Sequence, residues 1–325
     1  MNSIEKNNNK IIVILGPTSS GKSAVAIKLA KKFNGEIISA DSRQVYRGLD
    51  IGTGKICGIW NAKNKTLISE KIVHYGINIA SSKTEYNVAK FKKYADKIIL
   101  DILKRKKVPI ICGGTGFWVK SVLDNIVYPE VKPDPILRNI LCNKSAEELF
   151  LMLQKLDPER AKDIDAKNTV RLIRAIEICK AIGKVPKIKH ANSISSTKIK
   201  NLQIKFLQIG IHLSKEKLHI NIKKRLTQRI KQGMIQEIKK LHKENKLSWK
   251  KIESFGLGYK LIPKHLKGEI KTEKELFEKI YQAEKKYAKR QMTWFQKDQR
   301  IIWLREYDSI QKKAENFLVK HFRFQ

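Results

Sequence analysis

Residues 16–23 read Gly16-Pro17-Thr18-Ser19-Ser20-Gly21-Lys22-Ser23, the pattern G-x-x-x-x-G-K-[ST]. Each residue type in it has a chemical reason. The glycines let the backbone come close to an anion, and the loop amides and the start of the following helix converge on phosphate oxygens. Lys22 adds a point charge, and Ser23 offers a hydroxyl to Mg2+. Such a loop binds a di- or triphosphate without saying which. A second group of chemical residues opens at Asp41 in Asp41-Ser42-Arg43-Gln44-Val45-Tyr46-Arg47-Gly48-Leu49-Asp50-Ile51-Gly52-Thr53-Gly54-Lys55. Its carboxylate suits a general base, a metal ligand or a helix cap. A third, Gly113-Gly114-Thr115-Gly116-Phe117-Trp118, is another close-approach loop, in which Thr115 can satisfy its own turn.

These groups need elements to hold them. Lys10–Leu15 is a continuous apolar run ending in Gly and Pro, which predicts a buried parallel strand. Helical periodicity follows over Ser23–Phe33, a short strand over Glu36–Ala40, a long amphipathic helix over Val88–Leu103 and a strand over Val108–Cys112. This alternation predicts an α/β fold, a P-loop NTPase-like core with a parallel sheet flanked by helices. Each chemical group follows a strand, so all three share the edge where open α/β sheets bind ligands.

After Asn125 the pattern changes. Asp134–Asn143, Ser145–Leu156 and Lys167–Ile182 read as helices with no strand between them, and Lys184–Lys200 is polar and Ser-rich, as in a hinge. Gln203–Leu213 returns to a β pattern, helices are predicted over Lys215–Lys246 and Thr272–Asp298, and Arg300–Leu304 is a last strand. The expected organisation is a core begun by 1–128, an all-helical insertion at 129–200, and a core completed by 201–325.

Composition narrows the class. The 68 Lys and Arg against 31 Asp and Glu leave a formal charge of +37, which suits a polyanionic partner or a heavily solvated surface. Only 13 of the basic residues are Arg. Where Lys is so favoured, a retained Arg marks a need for planar, bidentate geometry, so Arg43, Arg138, Arg171, Arg174, Arg225 and Arg290 stand out. No apolar run approaches a membrane span, and residues 1–9 are polar with no apolar segment behind them. Cys57, Cys112, Cys142 and Cys179 are scattered without a C-x-x-C pair, against a disulfide framework or a zinc site. A cytoplasmic location is expected. On these residues alone a nucleotide or small-molecule kinase stays open, the insertion serving as its lid.

The motifs GPTSSGKS, DSRQVYRGLDIGTGK, PIICGGTGFW, VRLIRAIEI with IGK, LGYK and YAKRQMTWF occur in this order. Together they resemble the tRNA dimethylallyltransferases (tRNA isopentenyltransferases) of bacterial type, from about residue 11 to 304. The resemblance implies transfer of a dimethylallyl group from dimethylallyl diphosphate to N6 of the adenosine 3′ of the anticodon, in tRNAs reading codons that begin with U. Mg2+ is the implied cofactor, with Ser23 its contact, and a monomer the implied state. A related family, the adenylate isopentenyltransferases, prenylates free nucleotides; the helical insertion, its Arg pair and the charge favour RNA.

By that resemblance, residues Gly16, Pro17, Thr18, Ser19, Ser20, Gly21, Lys22 and Ser23 hold the diphosphate, and Asp41, Thr115 and Arg225 are catalytic. Asp41 would accept a hydrogen bond from the N6 amine and take its proton. Asp41, Ser42, Arg43, Gln44 and Thr115 would line the tRNA side. Further tRNA contacts would come from Arg138, from Val170, Arg171, Leu172, Ile173 and Arg174, from Phe255, Gly256, Leu257, Gly258, Tyr259 and Lys260, and from Lys289, Arg290 and Gln291. This chain departs from the family at Asn221, where a second anion-binding Arg is usual, at Phe255 and at Phe117-Trp118.

Overall fold

A computed structural model describes residues 9–186, 189–190 and 203–319. Ten strands are assigned: β1 (Lys10–Leu15), β2 (Gly35–Ser39), β3 (Ile59–Asn61), β4 (Thr66–Ser69), β5 (Ile72–Tyr75), β6 (Val108–Gly113), β7 (Ile126–Val127), β8 (Lys189–His190), β9 (Lys205–Ile211) and β10 (Ile302–Leu304). The helices are α1 (Lys22–Lys32), α2 (Val88–Lys104), α3 (Gly116–Leu123), α4 (Pro135–Leu141), α5 (Ala146–Leu156), α6 (Pro158–Asp163), α7 (Thr169–Ile182), α8 (Lys215–Lys231), α9 (Met234–Lys243), α10 (Trp249–Glu253), α11 (Gly258–Leu266), α12 (Glu273–Phe295) and α13 (Tyr307–Val319).

Eight strands form one sheet in the order β10-β9-β1-β6-β2-β5-β4-β3. The six from β10 to β5 pair in parallel. Parallel register aligns their C-terminal ends: Leu15 lies opposite both Gly113 and Gly210, and Ser39 opposite Cys112. The loops after β1, β2 and β6 therefore leave the sheet side by side.

Period-2 alternation divides the buried residues between two cores. Ile11, Val13 and Leu15 face one core with Phe91 of α2 and Trp118 of α3, and Ile12 and Ile14 face the other with Leu29 of α1 and Ile310 of α13. Helices thus cover both faces, as a parallel sheet requires.

Besides helices α6, α10, α11 and α13, which the sequence pattern does not mark, and the short strand β8 in an insertion expected to be all-helical, two stretches outside that insertion differ from the sequence expectation. The sheet continues past its parallel part into an antiparallel β3-β4-β5 edge. Its tight turn places Glu70 and Lys71 at φ 49° and 66°, a geometry usually marked by Asn-Gly, so the usual signature is missing. The helix predicted over Lys215–Lys246 breaks at Gly233, φ 97°, into α8 and α9.

By contacts the chain divides into a unit of 1–125 with 192–325 and a second of 126–191. Within the second, α4 to α7 enclose a small core with Leu149, Leu153, Leu172 and Ile176 at its centre, and β7 pairs with β8. Most of the predicted hinge at 184–200 lies outside the described residues.

Phe91 is fully buried and stacks on Trp118, ring centroids 4.5 Å apart. Replacing it with Ala removes that stack and leaves a cavity, an expected loss of about 3–5 kcal/mol. Urea unfolding should show a lower midpoint at unchanged slope.

Candidate active site

The loop after β1 adopts a conformation that its residue types permit. Gly16 and Gly21 have φ 148° and 91°, and Ser19 is also left-handed at φ 62°. A Cβ at Gly16 would come within 2.9 Å of Ser20 Oγ. The loop then enters α1, whose first turn carries Lys22 and Ser23 and no acidic residue, leaving the positive helix end for an anion.

Lys22 Nζ donates to Pro17 O at 2.7 Å. Burial lowers its pKa to about 8, Arg225 pushes the same way, and Cys112 and Asp41 oppose the shift. Arg225 reaches in from α8, donating to Thr18 Oγ1 at 3.2 Å and to Gly54 O at 2.9 Å. Gly54 makes room, since a Cβ there would lie 2.1 Å from Arg225 Nη2. Burial and the neighbouring Arg229 lower the proton affinity of Arg225. Neither Lys22 nor Arg225 forms an ion pair among the described residues. Asn221, one turn earlier on α8, donates to Ser19 O at 3.2 Å, so it braces the loop.

Asp41 follows β2. Its Oδ1 accepts from the amides of Arg43 at 2.8 Å and Gln44 at 3.3 Å. One oxygen therefore caps the turn, as Asp does after strands, and no protein donor to Oδ2 is found among the described residues. Thr115 Oγ1 accepts from Ser42 N at 3.1 Å, so it ties the third loop to the second and does not close its own turn. Arg43 Nε donates to Phe255 O at 2.8 Å, and the Gln44 amide oxygen accepts from Ser39 Oγ at 3.2 Å.

The segment 50–54 beneath Arg225 is held by residues that the sequence does not signal. Glu237 of α9 accepts from the amides of Asp50, Ile51 and Gly52 at 2.6–3.1 Å and from Tyr259 OH at 2.7 Å. Arg229 donates to Gly52 O at 2.8 Å and to buried Glu284 at 2.5 Å.

Other predicted positions divide by exposure. Lys289 and Arg290 are exposed on α12, beside Lys286, Thr293, Trp294 and Lys297 around an open groove. Gln291, the next residue, turns inward and is buried. Phe255 and Tyr259 are buried against Tyr46 and one another, leaving Lys260 exposed. Between them Gly256 and Leu257 both have positive φ, a costly conformation for Leu.

In the 126–191 unit, Val170 and Arg171 are exposed and Leu172 is in the core. Arg138 and Arg174 both bond to Glu177, Arg138 at 2.9 and 3.1 Å, and Arg174 also donates to Val131 O at 2.8 Å. These hydrogen bonds hold the Glu177 carboxyl below its usual range against its own burial.

A phosphate-loop motif on a parallel sheet, with two half-buried cations beside it and a carboxylate on the same sheet edge, places the chain among P-loop α/β proteins. A model of the IPP transferase family matches residues 44–298. The tRNA dimethylallyltransferase of Anoxybacillus flavithermus is 36% identical over 294 residues, covering 90% of this chain and 89% of that protein. The tRNA dimethylallyltransferase 2 of Treponema denticola is 39% identical over 286 residues, covering 88% and 91%. Among solved structures, the full-length tRNA isopentenylpyrophosphate transferase of Bacillus halodurans superposes with a TM-score of 0.66 at 30% identity, covering 95% of each chain. A eukaryotic dimethylallyltransferase acting on tRNA gives 0.73 at 26%, covering 95% of this chain and 78% of that one. The chain belongs to the IPP transferase family.

Arg225→Met keeps the stem that packs on α8 but removes the charge. Pyrophosphate binding, followed by titration calorimetry, is expected to weaken about 10- to 100-fold, the size of one charge-assisted contact. An unchanged affinity would remove Arg225 from the anion site.

Proposed function

We propose that this chain transfers a dimethylallyl group from dimethylallyl diphosphate to N6 of the adenosine 3′-adjacent to the anticodon, in tRNAs reading codons that begin with U. The observation that carries this reading is the pairing of Lys22 and Arg225, half-buried at the phosphate loop and without an ion pair among the described residues, with Asp41 on the same sheet edge. The names of the relatives, tRNA dimethylallyltransferases, support the same reaction.

The chemistry follows from the residues. The N6 lone pair forms a bond to the allylic carbon, the carbon–oxygen bond breaks, and diphosphate leaves with the electron pair. Negative charge grows on the departing oxygens, where Lys22, Arg225 and the loop amides stabilise it. An aromatic amine is a weak nucleophile, so Asp41 Oδ2 orients N6 and receives its proton. Thr115, through Ser42, keeps the Asp41 turn in register with the third loop.

Among the described residues no three His, Cys, Asp or Glu side chains gather as a metal site. The hydroxyl of Ser23, exposed in the first turn of α1, fits Mg2+ held mainly by phosphate oxygens and water, its usual mode. When bound, the ion neutralises part of the diphosphate charge.

The anticodon stem-loop is the proposed partner. Lys286, Lys289, Arg290 and Lys297 on α12 supply a basic strip with Trp294 for stacking on an unpaired base, and Arg171 on the other unit adds a phosphate contact. The reacting base must leave its stack to reach the loops. No helix of the described residues is long and apolar enough to cross a membrane. A monomer working in the cytoplasm completes the reading.

Radiolabelled dimethylallyl diphosphate with Mg2+, offered unmodified tRNA and AMP in parallel, tests the proposal. Label should enter tRNA alone, and Asp41→Ala should lower the rate at least about 100-fold, as loss of a general base does. Label on AMP would make the acceptor a free nucleotide. No label with either, together with ATP turnover, would make the site that of a kinase.

A further inference from the structure

The side chain of Gln291 divides its amide between two loops. Its Oε1 accepts from Thr18 N at 2.8 Å, and its Nε2 donates to Gly114 O at 2.8 Å. One planar group therefore spans from the phosphate loop to the loop that carries Thr115. The opposite loop is shaped for it, since a Cβ on Gly114 would lie 2.4 Å from Nε2. One turn further along α12, Trp294 covers Gly116, where a Cβ would meet its ring at 2.1 Å. The bonds continue past Gly114: Thr115 accepts from Ser42 N, and the Asp41 carboxylate accepts from Arg43 N. Thr18, Gln291, Gly114, Thr115, Ser42 and Asp41 thus form one linked path from the anion loop to the carboxylate.

We propose that Gln291 is a positioning residue that sets the spacing between the diphosphate loop and the Asp41–Thr115 side, and that it does not contact RNA. The inference rests on the reaction proposed above. Gln291 is buried and both ends of its amide are engaged, whereas its neighbours Lys289 and Arg290 face solvent. By holding the Thr18 amide it also withdraws that donor from the cradle, so Thr18 meets the ligand through its hydroxyl and Arg225 alone.

Two variants test this from opposite sides. Gln291→Met keeps length and volume but makes neither bond. Gly114→Ala displaces the amide from the facing loop and leaves α12 unchanged, so it carries the test even if the first variant folds poorly by thermal melting. Inorganic pyrophosphate, titrated calorimetrically without RNA, is the probe. Both variants should weaken its binding about 5- to 30-fold, as loss of a positioning bond does, and lower kcat for prenyl transfer about 10- to 100-fold. Affinity for a tRNA transcript should stay within about twofold, as for a residue away from the RNA. The inference is overturned if Gln291→Met weakens tRNA binding and spares pyrophosphate, or if neither variant moves either quantity while the wild-type chain is active. A wild-type chain that neither binds pyrophosphate nor transfers the prenyl group would defeat the proposed function, and this inference with it.

Discussion

Two half-buried cations crowded around one loop are the constraint on which the rest of the site depends. Among the described residues Lys22 bonds a backbone carbonyl, and Arg225 bonds a hydroxyl and backbone carbonyls. Like charges kept together under desolvation are unfavourable until an anion joins them, and the lowered pKa of Lys22 reports that cost. The fold supports it from outside the loop. Parallel register brings three loops to one edge, Glu237 collects the amides of residues 50–52, and the buried Arg229–Glu284 pair fixes Gly52. The unliganded site therefore carries a cost that the proposed diphosphate would relieve.

A similar division of labour is seen at Asp41, where one oxygen shapes the turn after β2 and the other is left for the base role proposed above. Arg138 and Arg174 work similarly around Glu177. A buried carboxylate holds two guanidinium groups that remain about one-third exposed, which fixes the orientation of both planar groups. The α12 helix has two faces with different duties, a basic outer strip and an inner face carrying Gln291, Glu284 and Ala288 into the core.

The phosphate loop, the parallel strands and the helical character of 134–182 were legible because each follows from residue type and period. Lys10–Leu15 can only be a buried strand, and a Gly-rich loop before Lys22 has few other uses. The β3-β4-β5 edge was not legible, because Glu70 and Lys71 occupy positive φ without the residues that announce such a turn. The single long helix predicted after Lys215 missed the left-handed Gly233, which a helical pattern tolerates. The candidate site was legible as motifs but not as geometry. Position 291 lies beside two exposed basic residues, and nothing in the local pattern marks its burial. The partners of Arg138, Arg229 and Glu237 are distant in sequence, and no local pattern connects them.

Proton uptake on pyrophosphate binding tests the desolvated-cation account most directly. At pH 8 the free site should hold Lys22 about half protonated, and the bound anion should restore the proton, an uptake of about 0.5 per site. Calorimetry in buffers of different ionisation enthalpy measures it, and Lys22→Met, compared at the same pH, removes the contribution of pyrophosphate itself. The account predicts greater uptake by the wild-type chain than by the variant, vanishing below about pH 6.5, where Lys22 is already charged. Equal uptake by the two proteins across pH 7–9 would contradict it.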